Sequence, residues 1–222
     1  MTVTLTYSVQ VCNESRELYS LLEFLIHTKD VDDIINVVVD SGHTTDKVKM
    51  VTDNFKNYIN VFERPFDTFP QNAKFHVEKC ETDYIFQIDA DEMPQEALMT
   101  NIKQMLIDSK AEIVYIPRIN LHPGLTSKHL EEFKFSVNNV GMINWPDYQG
   151  RILKKCESVT WSDEMHSKPI GSDKVVQLQP DTRIALWHIK SMQKQASRWV
   201  PDESGEYIIT PPSKNNLYDL LM

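Results

Sequence analysis

The chain has 222 residues, 41% apolar and 25% charged, a soluble globular composition that suits one sizeable domain and excludes two large independent ones. A net charge of −9 argues against nucleic acid as the main partner, because phosphate binding rests on Lys and Arg. Cys12, Cys80 and Cys156 are too far apart for a metal-type spacing and predict buried free thiols. With no leader pattern and no apolar run of about 18 residues, the expectation is a cytoplasmic protein without a transmembrane segment.

In residues 3–12, Val3, Leu5, Tyr7, Val9 and Val11 alternate with Thr4, Thr6 and Ser8, the period of a strand. Asn13, Glu14 and Ser15 break it and offer caps to a helix whose apolar side is Leu18, Leu21, Leu22, Leu25 and Ile26. Residues 34–39 are nearly all apolar, as suits a parallel strand covered on both faces, and they end in Asp40 and a turn. A helix is predicted over 45–55, a strand over 58–62, a helix over 70–80 and a strand over 84–88. The last of these runs into Asp89, Ala90, Asp91 and Glu92. Pro94 falls where a first helical turn tolerates it, and Leu98, Ile102, Met105 and Leu106 mark that helix's buried side. A fifth strand is predicted over 112–116.

This alternation predicts an α/β fold with a mostly parallel central sheet flanked by helices. From Arg118 on, the pattern is less regular. Residues 118–148 suggest long loops, with short strands near 149–155, 157–161, 174–178 and 183–188. A short basic helix is predicted over 190–199 and an irregular tail from Pro201.

In such sheets ligands bind beyond the carboxyl ends of strands. Those ends carry Asn13 and Glu14, then Asp40, then Asp89 and Asp91, so one site lined by all three is expected. Side chains two apart on extended chain project the same way. Two adjacent carboxylates repel unless a proton or cation relieves them. Mg²⁺ or Mn²⁺ suits hard oxygen ligands and neutralises a diphosphate leaving group. Acids capping the next helix are the other explanation of the same spacing.

The strings VQVCNES, VVVDSGHTTD and TFPQNAKFHVEKCETDYIFQIDADE resemble, in order and spacing, the nucleotide-binding half of family-2 glycosyltransferases of the GT-A fold. The D-x-D-E string matches that family's metal and diphosphate motif, the DXD motif. The resemblance covers residues 3–116 well. It continues more loosely through 148–154, 161–166 and 186–188, where small bacterial and phage members carry similar strings.

The resemblance implies a single GT-A-like domain over 1–222. Residues 1–117 form its nucleotide-sugar-binding half, 118–200 an irregular acceptor-side half and 201–222 a C-terminal tail. It implies metal-dependent, inverting transfer of one sugar from a nucleotide-sugar, UDP-sugar being the commonest, to a hydroxyl of a carbohydrate or other acceptor. Asp40 matches the acid that contacts the donor nucleoside, and Asn13 and Glu14 the first-strand turn near base and ribose. Asp89 matches the motif acid facing the ribose or a metal-bound water, Asp91 the direct metal ligand, and Glu92 a supporting neighbour. Asn72 and Lys74 match the helix facing the donor. His188 matches the late histidine that completes the metal shell in many GT-A enzymes, with His166 as its rival. A nitrogen ligand favours Mn²⁺ over Mg²⁺.

An attacking hydroxyl must lose its proton, so a carboxylate is needed beside the acceptor. One acid suffices where a metal serves the leaving group, unlike the paired acids of a glycosidase. Glu164 is the first candidate, Asp163 the second and Asp147 the third; solvated loop acids are the alternative. Arg183, Lys190, Lys194 and Arg198 form a cationic stretch fit for a diphosphate, an anionic acceptor or a solvated helix face. Trp145, Trp161 and Trp187 suit a sugar-stacking platform or a core.

His43 stands where the family has a small polar residue, and only tolerance in a turn accounts for it. The processive synthases' Q-x-x-R-W string is absent, which favours a single transfer over polymerisation. A nucleotidyltransferase is a competing class, disfavoured because residues 8–16 hold no glycine. A non-catalytic nucleotide- or sugar-binding relative is another, opposed by the intact Asp40, Asp89 and Asp91. A glycosyltransferase acting on modified DNA bases is a third; the net charge disfavours it and the basic strip near 183–198 keeps it open.

Overall fold

The structure is a computed structural model that describes residues 2–164, 167–201 and 207–209; beyond residue 197 it describes the backbone alone. The first half runs β1 (Leu5–Val11), α1 (Ser15–Thr28), β2 (Ile34–Asp40), α2 (Asp46–Phe55), β3 (Asn60–Arg64), α3 (Phe69–Glu78), β4 (Tyr84–Asp89), β5 (Glu92–Pro94), α4 (Glu96–Ser109) and β6 (Ile113–Ile116). The second half adds β7 (Arg118–Leu121), α5 (Ser127–Glu132), β8 (Gln149–Lys154), β9 (Thr160–Trp161), β10 (Pro169–Ile170), β11 (Val175–Gln177), β12 (Leu186–Ile189) and α6 (Met192–Arg198). A last pair, β13 (Trp199–Pro201) and β14 (Tyr207–Ile209), is antiparallel.

The central sheet has the order β11-β6-β8-β4-β1-β2-β3. Its pairs are parallel except where β8 runs antiparallel between β4 and β6. Leu5, Tyr7, Val9 and Val11 of β1 turn to one face, where Leu18, Leu21 and Leu25 of α1 and Leu98, Ile102 and Leu106 of α4 complete the main core. The opposite face, under α3, is a polar layer. Ser8 Oγ lies 2.7 Å from His76 Nδ1, Asn72 Nδ2 donates to Gln10 Oε1 at 2.8 Å, and Gln87 Nε2 donates to the Ala73 carbonyl at 2.8 Å. These bonds offset the burial of the groups that make them, while His76 Nε2 is buried without a hydrogen-bond partner among the described residues.

A smaller sheet, β5-β12-β7, crosses the open end of the large one. Its register sets His188 opposite both Glu92 and Asn120.

Several expectations need correction. Pro94 is the last residue of β5, and α4 begins two residues later at Glu96. The strand predicted over 58–62 lies at 60–64. Residues 118–148 are not all loop, since they contain β7 and α5. Of the cysteines only Cys80 is buried; Cys12 and Cys156 are half-buried, and none of the three is in a disulfide. No described helix is long and apolar enough to cross a membrane.

Candidate active site

The carboxyl ends of β1, β2 and β4 open into a cleft of about 840 Å³, closed on its far side by β7, β8 and β12. Glu14, Asp40, Asp89 and Asp91 all line it, so the structure brings the three acid-bearing strand ends together.

Asp40 is built into its turn. Its Oδ1 accepts the backbone N–H groups of Gly42 and Phe66, both at 3.0 Å, and its Oδ2 faces His43 Nδ1 at 2.8 Å. Burial would raise this carboxyl, but the Phe66 amide, His43 and the Gly42 amide outweigh it and hold it low. His43 therefore has a definite partner that the sequence did not reveal.

Glu14 closes the β1–α1 turn. Its Oε2 accepts the backbone N–H groups of Cys12 at 2.8 Å and Asn13 at 3.0 Å. Lys194 of α6 reaches Glu14 Oε1 at 2.8 Å and Asp91 Oδ2 at 3.2 Å. Burial alone would raise Glu14 and Asp91 and lower Lys194. The opposite charges outweigh it, so both acids are held low and the ammonium is held high.

Asp89 and Glu92 face two arginines. Arg151 Nη2 lies 2.6 Å from Asp89 Oδ2 and 2.5 Å from Glu92 Oε1. Arg118 reaches Glu92 Oε1 at 3.1 Å and Asp147 Oδ2 at 2.7 Å. Glu92 Oε2 also accepts the Asp89 backbone N–H at 3.2 Å. Glu92 is only 1% exposed, and these contacts take the place of water around its carboxyl group. Arg118, Arg151 and Asn120 had no assigned role from the sequence. The available signal was indirect: three acids within four residues need cations, which Arg118 of β7, Arg151 of β8 and Lys194 of α6 supply.

Asn120 fixes His188. The Asn120 Nδ2 donates to Asp147 Oδ2 at 2.8 Å and to the Ile143 carbonyl at 3.4 Å, which leaves Oδ1 to face His188 Nδ1 at 2.8 Å. The proton therefore sits on Nδ1. Burial pushes the His188 pKa down to about 3, so the ring is neutral at pH 7. Its Nε2 then presents a bare lone pair to Asp91 Oδ1 at 3.8 Å, and this contact is not an ion pair.

A bare nitrogen and a carboxylate oxygen facing each other repel unless a cation sits between them. Imidazole and carboxylate are both suitable ligands for Mn²⁺, and the carboxylate for Mg²⁺. Asp91 and His188 thus fit a divalent metal. Asp89 is turned toward Arg151. Among the described residues no three His, Cys, Asp or Glu side chains converge as a complete metal cluster.

The remaining candidates are more dispersed. Asn72 is buried and bridges Gln10 to Arg64, with Arg64 Nη1 donating to its Oδ1 at 3.2 Å. Lys74 pairs with Asp163 at 2.7 Å. Asp163 and Glu164 are exposed, on a loop whose flanking residues Trp161 and Ser167 line the cleft. Asp147 lines the cleft, yet burial is outweighed by Arg118 and Asn120 and its carboxyl is held low. Asn13 is buried in the first-strand turn. His166 lies outside the described residues, as does the Arg198 side chain. Lys190 lines the cleft, whereas Arg183 is exposed and pairs with Asp181. Of the three tryptophans proposed for sugar stacking, Trp145 is half-buried, Trp161 lines the cleft and Trp187 is 41% exposed.

No family model and no curated protein matches the chain. Among solved structures it is similar to S. aureus TarS 1–349, with a TM-score of 0.55 at 11% identity over 84% of this chain and 60% of that one. For TarS 1–349 in complex with UDP-GlcNAc the TM-score is 0.57 at 11% identity, over 84% of this chain and 58% of that one. The mannosyltransferase PcManGT from Pyrobaculum calidifontis, in complex with GDP-Man and Mn²⁺, gives 0.46 at 16% identity over 53% of this chain and 36% of that one. The chain therefore spans less than two thirds of the length of TarS 1–349. The likeness to TarS is one of fold. With the mainly parallel sheet, its flanking helices and the antiparallel β8, it shows a GT-A-like α/β architecture.

Proposed function

We propose that this chain is a metal-dependent glycosyltransferase that moves one sugar from a nucleotide-sugar to an acceptor hydroxyl, with inversion. The observation that carries this reading is the convergence of Asp40, Asp89 and Asp91, from two strand ends and the turn after the second, on one cleft of about 840 Å³. That volume lies in the range of small-molecule sites large enough for a nucleotide-sugar. The choice of uridine is supported by the TarS 1–349 structures in complex with UDP-GlcNAc and with UDP.

On this reading Asp40 Oδ2, oriented by His43, keeps a lone pair for a nucleobase N–H. Asn13 and Glu14 shape the turn beside the base and ribose. Asp89, held by Arg151, faces the ribose side of the diphosphate. Asp91 and His188 would hold Mn²⁺ or Mg²⁺, which when bound supplies positive charge against the leaving diphosphate. Lys190, in the same cleft, adds a cation of the protein's own. Asn72 serves the donor side through Gln10, and Lys74 through the loop that carries Asp163. Glu164, with Asp163 beside it, takes the acceptor proton from that loop. Asp147 is the weaker base because Arg118 and Asn120 hold its carboxyl low.

The test is proton NMR of the protein with Mn²⁺-free Mg²⁺, a panel of UDP-sugars beginning with UDP-GlcNAc, and a mixture of sugar acceptors. The expected result is release of UDP from one donor, with a product of inverted anomeric configuration and loss of both signals in Asp91→Asn. A product with retained configuration removes the role of Glu164, and UDP release that survives in Asp91→Asn contradicts the reading.

A further inference from the structure

The transfer chemistry proposed above does not require Lys194, yet this residue holds a central position. Its side chain is 14% exposed, and its Nζ stands between Glu14 Oε1 at 2.8 Å and Asp91 Oδ2 at 3.2 Å. Glu14 cannot follow the lysine if it moves, because its other oxygen is pinned by two backbone N–H groups of the β1–α1 turn. Asp91 has its other oxygen 3.8 Å from His188 Nε2, on a ring that Asn120 holds at Nδ1. One carboxylate therefore serves two cation positions, and Lys194 fills one of them.

A divalent cation between Asp91 and His188 would share that carboxylate with the ammonium. At separations of a few ångströms in a partly buried site, the repulsion between such cations far exceeds thermal energy. Both cannot hold Asp91 at full strength.

We propose that Lys194 is a tethered counter-ion that competes with the divalent metal for Asp91. With the site empty, it neutralises the Glu14–Asp91 pair and ties α6 to the β1–α1 turn and the D-x-D turn. When metal arrives, Lys194 withdraws from Asp91 and stays with Glu14, so metal binding is coupled to the position of α6. The inference rests on the reading of Asp91 and His188 as metal ligands.

The test is Mn²⁺ binding to the full chain, followed by the paramagnetic resonance signal of free Mn²⁺, for wild type, Lys194→Gln, Lys194→Arg and Asp91→Asn. Lys194→Gln should bind Mn²⁺ roughly tenfold or more tightly than wild type, as expected when a neighbouring like charge is removed. Lys194→Arg, which keeps the cation, should not show the gain. Equal or weaker binding by Lys194→Gln, beside measurable binding by wild type, overturns the competition and leaves the metal site standing. If neither wild type nor Lys194→Gln binds Mn²⁺, the metal site itself fails and the competition with it.

Should Lys194→Gln not fold, wild-type protein labelled at the lysine ε-carbons answers the same question with Mg²⁺. The Lys194 signal, assigned by its loss in Lys194→Arg, should shift on saturation. A signal that stays in place while Mg²⁺ binds overturns the proposal.

Discussion

At Glu92, 1% exposed, one carboxylate oxygen receives both Arg118 and Arg151. Removing Arg151 leaves Arg118 to serve both Glu92 and Asp147 and strips Asp89 of its guanidinium, a loss approaching the roughly 3–5 kcal/mol of a broken buried pair. Arg151→Met should therefore lower the unfolding free energy in urea by about that amount, and a loss below about 1 kcal/mol would mean that Glu92 is not held as described. His76 gives a second prediction at this scale. Burial pushes its pKa down to about 4, whereas an unfolded histidine titrates near 6.5. Between those values the unfolded chain takes up a proton that the folded chain refuses, so stability falls as pH drops through the window. From pH 7 to pH 5 this amounts to roughly 2 kcal/mol, which His76→Gln should remove from the pH dependence of urea unfolding. An unchanged pH dependence in that variant would exclude a buried neutral His76. The acids Asp40, Asp89 and Asp91 were legible in the sequence because each follows an apolar strand. Their partners were not: Arg151 lies 62 positions from Asp89, Arg118 lies 26 from Glu92, and ion pairs across such distances leave no local pattern.

Two helices of the first half carry their own start signals, whereas α1, for which Asn13, Glu14 and Ser15 offered caps, begins with no side-chain cap bond. Thr45 caps α2 by accepting the Val48 N–H, and Thr68 caps α3 by accepting the Gln71 N–H, with Pro70 in the first turn. In the second half β9 and β10 have two residues each and β11 has three, too short for any period to register. Their place comes from packing. Gly171, just after β10, has φ +97°, and a Cβ there would sit 1.7 Å from the Ser158 carbonyl oxygen. That conformation and that contact exclude any side chain. Gly171→Ala should cost more than about 2 kcal/mol of stability, because both the backbone and the close approach must change. It should also disturb the β9–β10 pair that carries Trp161 to the cleft. A thermal melt within 1 °C of wild type would show that this turn is free to rearrange. The polar layer under α3 was half visible: the sequence shows Thr6 and Ser8 opposite the apolar face of β1, but not that Thr82 meets Thr6, that His76 meets Ser8 and that Asn72 meets Gln10.

Across the whole molecule the two halves share one sheet. The antiparallel β8 fills the gap between β4 and β6, and β11 extends the edge beyond β6. The small sheet β5-β12-β7 likewise joins both halves and delivers His188 to Asp91. The α/β class and the strand-end cleft followed from periodicity alone, whereas the closing wall depended on strands too short to be read. The most direct test of a donor site in this cleft is thermal melting with UDP or GDP, with and without Mn²⁺, for wild type and Asp91→Asn. A ligand at about 100 times its dissociation constant stabilises by roughly 2.7 kcal/mol, and at about 2–4 °C per kcal/mol this gives a rise of roughly 5–10 °C. The expected result is such a rise with UDP and Mn²⁺ together, absent in Asp91→Asn. No rise with either nucleotide, or a rise that persists in Asp91→Asn, would contradict a metal-assisted nucleotide-sugar site.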